Sequence, residues 1–143
     1  MKRVLVPLDK TESSEEIFPL VAMLAKSGAT VRLMHVDAVP ENVIGVDGYT
    51  AVYADQELQS REAEWADYVS IAQARLGVTL EGAIRFGDPA TEILAEAEAS
   101  GADTIVVTTG TSCAVKRALT GSVAAATMRR APIGVLMYRP AAA

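Results

Sequence analysis

A glycine-rich segment near the C-terminal end contains the residue types that hold phosphate. It reads TTGTSCAVKRALTGS over residues 108–122 and lies between a strand-like run and a helix-like run. Backbone N–H groups in the first turn of a helix, helped by a serine hydroxyl, can hydrogen-bond phosphate oxygens. Gly110, Gly121 and Ser122 are therefore candidates for an anion-binding loop. The simpler alternative is that Gly121 and Ser122 only begin a helix.

The segment matches neither of two common phosphate-binding motifs. It lacks the Gly-Lys-Ser/Thr ending of a P-loop, and no Gly-x-Gly-x-x-Gly follows the first apolar run. Lys116 and Arg117 can reach a phosphate, but two adjacent basic residues more often form a solvated face. Cys113 is the one cysteine of the chain, and a lone cysteine is more often a small packing residue than a redox thiol.

Side chains for catalysis or metal binding are few. His35 is the one histidine, so a metal site built from several histidines is excluded. It ends an apolar run, and we expect the backbone to satisfy its ring at the edge of the core. The spacing gives no support to a triad of Ser122, His35 and Asp9. We predict no catalytic residue and no metal.

Composition limits the partners and the compartment. The chain has 143 residues, a formal net charge of −5 and 50% hydrophobic residues, which predicts a single domain over residues 1–143. The negative charge disfavours nucleic acid and anionic lipid. A single cysteine suits a reducing cytoplasm. The sequence shows no signal peptide and no apolar run of about 18 residues, so we expect no membrane span.

Apolar runs alternate with helix-like segments along the chain. Five strands are predicted at 3–9, 30–36, 79–86, 103–109 and 133–138, and helices at 11–29, from about 55 to 76, at 88–101 and at 121–130. This order predicts an α/β fold with an open parallel sheet and helices on both faces. The alternating 79–86 strand is expected at the sheet edge. Residues 37–54 are predicted to form a long loop.

Some helix ends carry local signals. Ser13 and Glu16 have capping-box spacing. Pro19 removes one backbone N–H and should bend the helix mildly if it lies in the second turn. Asp88 is the predicted N-cap of the third helix, and Gly101 its stop.

Ligands of such sheets bind beyond the carboxyl ends of the strands, where the strand order reverses. The residues predicted there are Asp9, His35–Val36 and Thr109–Gly110. Three separate segments thus meet at one predicted crevice.

The segments that carry these features occur in the order and spacing of one known family. They are RVLVPLDKTESSEE, RLMHV, GDPATEILAEAEASGADTIVVTTG and ALTGSVAAATMRRAPIGVLMY. Together they resemble the universal stress protein family over nearly the whole chain, least in residues 40–60. The resemblance implies a Rossmann-like, adenine nucleotide alpha hydrolase-like sheet of five parallel strands in the order 3-2-1-4-5. It also implies a homodimer that pairs through strand 133–138.

The resemblance further implies nucleotide-binding residues. Asp9 matches the acidic residue that holds the ribose, with Pro7 and Leu8 beside it, and Val36 matches the position whose backbone reads adenine. In the glycine-rich segment, Gly110 matches the first glycine of the loop, with Thr109 beside it. The residues that match the segment closing over the phosphates are Gly121, Ser122 and Val123.

One departure from the family pattern affects the phosphate end of the site. Cys113 stands where the pattern has its second glycine, and Gly110 and Gly121 lie eleven positions apart, about two fewer than the pattern requires. Glycine permits backbone conformations that bring N–H groups close to phosphate. The altered loop therefore favours AMP or ADP over ATP, with or without Mg²⁺.

The resulting hypothesis is a cytoplasmic, homodimeric module of the stress response that binds an adenine nucleotide without catalysis. A dimeric regulatory or scaffold protein without nucleotide, acting through an unknown partner protein, remains open. A weak ATP hydrolase and an electron-transfer flavoprotein-like protein are further alternatives.

Overall fold

The computed structural model describes residues 1–10, 14–39, 48–108 and 124–139. Its five strands form one parallel sheet in the order β3-β2-β1-β4-β5. They are β1 (Arg3–Pro7), β2 (Thr30–Asp37), β3 (Glu81–Phe86), β4 (Thr104–Thr108) and β5 (Gly134–Tyr138). Both the predicted fold class and the predicted strand order are confirmed. The edge position predicted for the third strand is also confirmed, because β3 is the first strand in the order of this sheet.

Helices cover both faces of the sheet. A 3-10 turn (Ser14–Ile17) leads into α1 (Phe18–Lys26), and the other described helices are α2 (Gly48–Leu76), α3 (Pro89–Ser100) and α4 (Ala124–Arg130). Apolar residues of α1 and α2 pack in one core with Val6, Leu33 and Val106. The core with α3 contains Leu5, Ile105 and Val107 instead. Successive residues of a strand point to opposite faces, so each buried strand contributes to both cores.

The start of α1 differs from the prediction. The α-helix begins at Phe18, so Pro19 lies in its first turn and not in the second. A first-turn N–H has no partner within the helix, so the missing N–H of Pro19 imposes no bend there. Ile17 occupies the N-cap position without a side-chain cap, and Ser13 lies outside the described residues.

The start of α2 also differs from the prediction. The helix begins at Gly48, so the long loop predicted over 37–54 is wrong in its second half. Residues 48–54 show no apolar stripe and no proline. A helix that tertiary packing has already nucleated extends at little cost through such a segment. The apolar face of the helix includes Trp65, Val69 and Ala72, which are buried in the core shared with α1.

The ends of α3 follow the predicted signals. The Asp88 side chain accepts a hydrogen bond from the Thr91 N–H at 3.0 Å. Gly101 ends the helix with a φ of +68°, a left-handed conformation that favours glycine. Within the described residues, no helix is long and apolar enough to cross a membrane.

An ionic network ties β2 and β3 to α3. The buried carboxylate of Glu96 accepts hydrogen bonds from Arg32 and from Arg85, each at 2.7 Å. Arg32 also pairs with Glu81, and Arg85 pairs with Glu92, both at 3.1 Å. Burial opposes the charge on Glu96, but the two arginine hydrogen bonds outweigh it and lower its pKa below the ordinary value. The network fastens the edge strand on the α3 face.

Candidate ligand-binding crevice

The centre of the sheet contains the point where the strand order reverses. β1 lies between β2 and β4, and the chain runs outward from β1 in opposite directions in its two halves. The ladder between β1 and β2 continues to Pro7 opposite Met34. The ladder between β1 and β4 contains only Val4–Thr104 and Leu5–Ile105. β1 and β4 therefore stop pairing before their carboxyl ends, and we call the space between those two ends the switch-point crevice.

Pro7 explains why the pairing with β4 stops. The Thr30 N–H donates to the Lys2 carbonyl and the Leu8 N–H to the Met34 carbonyl, both at 2.8 Å, so even-numbered residues of this segment face β2. The Asp103 N–H donates to the Arg3 carbonyl at 2.9 Å, so odd-numbered residues face β4. Pro7 is on the β4 side and has no N–H to donate. The proline predicted as a neighbour of Asp9 thus ends the ladder where the crevice begins.

The turn after β1 positions Asp9. Leu8 is buried in the α1/α2 core, and Asp9 is half-buried. Lys10 has a φ of +68°, which is uncommon for a residue with a side chain. This left-handed residue interrupts the extended backbone directly after Asp9. The predicted ribose-binding carboxylate therefore lies at the end of the central strand, as expected.

His35 supports this turn from β2. Its Nδ1 lies 2.8 Å from the Leu8 carbonyl oxygen. A carbonyl only accepts hydrogen bonds, so Nδ1 carries the proton in this arrangement. The Nε2 atom lies 3.9 Å from a carboxylate oxygen of Asp37. The expectation that the backbone satisfies His35 is confirmed, and the bond holds the carbonyl that immediately precedes Asp9.

Val36 presents its backbone to the same region. The Met34 carbonyl faces β1, because it accepts from the Leu8 N–H. Backbone groups alternate in direction along a strand, so those of Val36 also face the β1 side. β1 ends at Pro7, opposite Met34. The backbone of Val36 therefore faces the Leu8–Lys10 turn, beyond the last paired residue of β1.

Two aromatic residues of α2, Trp65 and Tyr68, lie next to this turn, and neither was predicted as a site residue. Trp65 stacks on His35 with ring centroids 5.4 Å apart and on Tyr68 at 4.8 Å. The Lys10 ammonium lies 5.9 Å from the Trp65 ring centroid. The Tyr68 hydroxyl donates to Glu15 at 2.9 Å. Burial raises the pKa of Tyr68, and the Glu15 hydrogen bond adds to the effect.

Thr108 is a further residue of the crevice that the sequence analysis missed. It ends β4 opposite Tyr138 and is buried, yet its hydroxyl has no hydrogen-bond partner among the residues that the structure describes. No sequence signal marks it, because threonine is common in strands. An unpaired buried hydroxyl beside the crevice is a group that a polar ligand can satisfy.

The remaining predicted site residues lie outside the described part of the chain. They are Thr109, Gly110, Gly121, Ser122 and Val123, together with Cys113, Lys116 and Arg117. Their roles, and the effect of the shortened loop, stay predictions. Within residues 1–10, 14–39, 48–108 and 124–139, no cluster of three His, Cys, Asp or Glu residues is placed to hold a metal ion.

The described residues fit one end of an adenine nucleotide. The Asp9 carboxylate can accept hydrogen bonds from ribose hydroxyls, and the backbone of Val36 offers a donor and an acceptor for an adenine edge. The unpaired hydroxyl of Thr108 adds a third polar group on the far side of the crevice. All three lie at the carboxyl ends of adjacent central strands, where open α/β sheets bind ligands.

Known proteins of the same fold include nucleotide complexes. Universal stress protein UspA from Lactobacillus plantarum is 20% identical, with 96% of this chain and 97% of that chain covered and a TM-score of 0.70. A universal stress protein in complex with cAMP is 23% identical, with 98% of both chains covered and a TM-score of 0.64. The universal stress protein from Archaeoglobus fulgidus in complex with dAMP is 18% identical, with 96% and 97% covered and a TM-score of 0.62.

These likenesses show the fold, whereas a family model shows the relationship. No curated protein matches the chain significantly. The model of the Universal stress protein family matches residues 1–139, which includes every strand and helix described above. By that match over almost its full length, the chain belongs to the universal stress protein family.

Proposed function

We propose that this protein binds an adenine nucleotide at the switch-point crevice. The observation that carries the proposal is the opening between β1 and β4 at Pro7, with Asp9 held at its rim. Two proteins of the same fold are complexes with cAMP and with dAMP, so the fold accommodates adenine nucleotides with one phosphate. The ribose contacts Asp9, and the adenine contacts the backbone of Val36.

The proposed ligand is AMP or ADP in preference to ATP. The predicted phosphate residues are Thr109, Gly110 and the segment 121–123. Because Cys113 replaces a glycine and the loop is shorter than the family pattern, fewer backbone N–H groups are available for a long phosphate chain. A monophosphate needs fewer such donors and has less charge for Mg²⁺ to neutralise.

The proposed activity is binding without catalysis. Phosphoryl transfer requires a residue that orients the attacking nucleophile and groups that stabilise the transferring phosphoryl. Asp9 is the one carboxylate that the sequence analysis places in the crevice, and its proposed role is to hold the ribose. Binding of a nucleotide then acts as a signal to a regulatory partner protein. The proposed location of this protein is the cytoplasm.

The proposed assembly is a homodimer through strand β5. Among the described residues β5 pairs only with β4, so they leave its other edge unpaired. Leu136 and Met137 are 39% and 40% exposed, one on each face of this edge strand. An apolar edge strand promotes association, and antiparallel pairing of two copies satisfies both edges by symmetry. The predicted segment 133–138 is therefore the proposed dimer contact.

Calorimetric titration of the purified protein tests the nucleotide proposal. AMP, ADP and ATP are compared with and without Mg²⁺, and we expect saturable binding that is tightest for AMP or ADP. Asp9→Asn removes a charged acceptor, and hydrogen bonds to charged groups contribute about 1.5–3 kcal/mol. The variant should bind about 10- to 100-fold more weakly.

Asp67→Asn is the matched control, because Asp67 is exposed on α2 and should leave the affinity unchanged. If millimolar concentrations of all three nucleotides give no heat above dilution, the nucleotide-free scaffold becomes the better hypothesis. Equal affinity in Asp9→Asn and the wild type would remove Asp9 from the site.

A further inference from the structure

The hydroxyl of Thr108 is buried and has no hydrogen-bond partner in the described part of the chain. Thr108 is 2% exposed, and its Oγ1 is the one side-chain atom of this kind among the described residues. Buried polar atoms in folded proteins are almost always paired, and an unpaired one destabilises the fold. An exception at a candidate binding site indicates a group that is satisfied by something other than the chain itself.

Thr108 lies directly across the crevice from the end of β1. The register of β1 and β4 pairs Leu5 with Ile105, and continuing it by three residues brings Leu8 opposite Thr108. The ladder has ended by then, because Pro7 donates no N–H toward β4. Thr108 and the Leu8–Asp9 segment therefore follow the last paired residues of two neighbouring strands, on the two sides of the crevice.

The two side chains at this opening have complementary chemistry. The carboxylate of Asp9 accepts hydrogen bonds, whereas the hydroxyl of Thr108 can donate one and accept others. A ribose presents two adjacent hydroxyl groups, each a donor and an acceptor. One can donate to the carboxylate while the other bonds to the threonine.

We propose that Thr108 is a ligand contact that binds one hydroxyl of the nucleotide ribose, opposite Asp9. This inference rests on the proposed nucleotide binding and extends it, because it names a residue that selects for the sugar. The contact also pairs the one unsatisfied buried hydroxyl of the described residues. Thr108 therefore contributes to discrimination between ribonucleotides and their deoxy analogues.

The test combines two variants of Thr108 with three ligands. Thr108→Val has nearly the same shape and lacks the hydroxyl, whereas Thr108→Ser retains it and is the matched control. The ligands are AMP, 2′-deoxy-AMP and 3′-deoxy-AMP, with affinities measured by calorimetry. We expect Thr108→Val to weaken AMP binding about 5- to 10-fold, as loss of one hydrogen bond implies, and Thr108→Ser to bind AMP like the wild type.

The deoxy analogues separate a direct contact from an indirect effect. The valine variant and the wild type should bind one of the two analogues with equal affinity, because that ligand already lacks the contacted hydroxyl. Equal weakening for all three ligands, or no weakening for AMP, overturns the contact. Failure of the wild type to bind any adenine nucleotide overturns the proposed function, and the contact with it.

Stability of the ligand-free variants gives an independent readout. Thr108→Val removes an unpaired buried hydroxyl, so it should melt about 2–4 °C above the wild type. This shows that weaker binding does not come from unfolding. A lower melting temperature in Thr108→Val than in Thr108→Ser means that the hydroxyl has a partner in the free protein, which overturns the inference.

Discussion

Replacement of Glu96 by glutamine should destabilise the fold through the ionic network on α3. The Glu96 side chain is 8% exposed and accepts from two guanidinium groups at 2.7 Å. The amide keeps one acceptor oxygen and turns its NH₂ group toward the N–H donors of the other arginine. Removing one partner of a fully buried ion pair costs about 3–5 kcal/mol.

The surroundings of Glu96 reduce this figure. The Arg32 and Arg85 side chains are 26% and 30% exposed, so water replaces part of the lost interaction. Each also retains a second carboxylate, Glu81 and Glu92 respectively. We therefore expect a loss of about 2 kcal/mol in the free energy of unfolding and of about 4–8 °C in the melting temperature.

The pH dependence of this loss follows from the lowered pKa of Glu96. A carboxyl group whose pKa is lower in the folded state stabilises the fold above its unfolded pKa, for which the ordinary value is 4.5. That contribution disappears as the pH falls through the folded pKa. The difference between wild type and Glu96→Gln should be constant between about pH 7 and 5 and shrink below about pH 4.5.

Urea denaturation at several pH values measures the difference. Glu98→Gln is the matched control, because Glu98 is exposed on the same helix and should change stability by less than about 0.5 kcal/mol. Glu96→Gln with wild-type stability at pH 7, or a difference that persists unchanged at pH 3.5, would refute the reasoning.

Two further predictions concern the turn after β1 and the edge of the sheet. His35→Phe keeps a ring against Trp65 but removes the hydrogen bond to the Leu8 carbonyl, so the free energy of unfolding should fall by about 1–3 kcal/mol. Nucleotide affinity should also fall, because the turn that holds Asp9 loses this support. Chemical denaturation measures the first effect and calorimetry the second, and unchanged affinity would show that the turn holds without His35. Met137→Lys places a charge on the β5 edge and should convert the dimer to a monomer, as measured by light scattering. Met23→Lys, at an exposed position of α1, is the control and should leave the dimer intact. A Met137→Lys protein that remains dimeric excludes β5 as the contact.

Much of the frame could be predicted from local signals. The Asp88 cap and the Gly101 stop bracket α3 because these residues satisfy helix ends through their own side chain or backbone freedom, whatever surrounds them. Strands buried on both faces appear as continuous apolar runs, so β1 and β4 were visible in the sequence. Asp9 and Val36 were predictable as site residues only with the family resemblance, which supplied their roles.

Element starts were less predictable where packing decides. The seven residues from Gly48 to Ala54 have no apolar period, yet they belong to α2, because a helix stabilised elsewhere extends into such a segment. The position of Pro19 in the first turn depends on where α1 begins, and a 3-10 turn moves that start to Phe18. Neither segment contains a local signal that decides where its helix begins.

The sequence by itself determined the alternation of strands and helices, the fold class and the family. Only the tertiary structure decided which neighbour each backbone group faces. Pro7 opens the switch-point crevice because its missing N–H would be directed at β4 and not at β2. Thr108 is significant because its buried hydroxyl has no hydrogen-bond partner among the described residues. The neighbour that a backbone group faces, and whether a side chain finds a hydrogen-bond partner, depend on segments that are distant in the chain. Local patterns along the sequence therefore do not predict them.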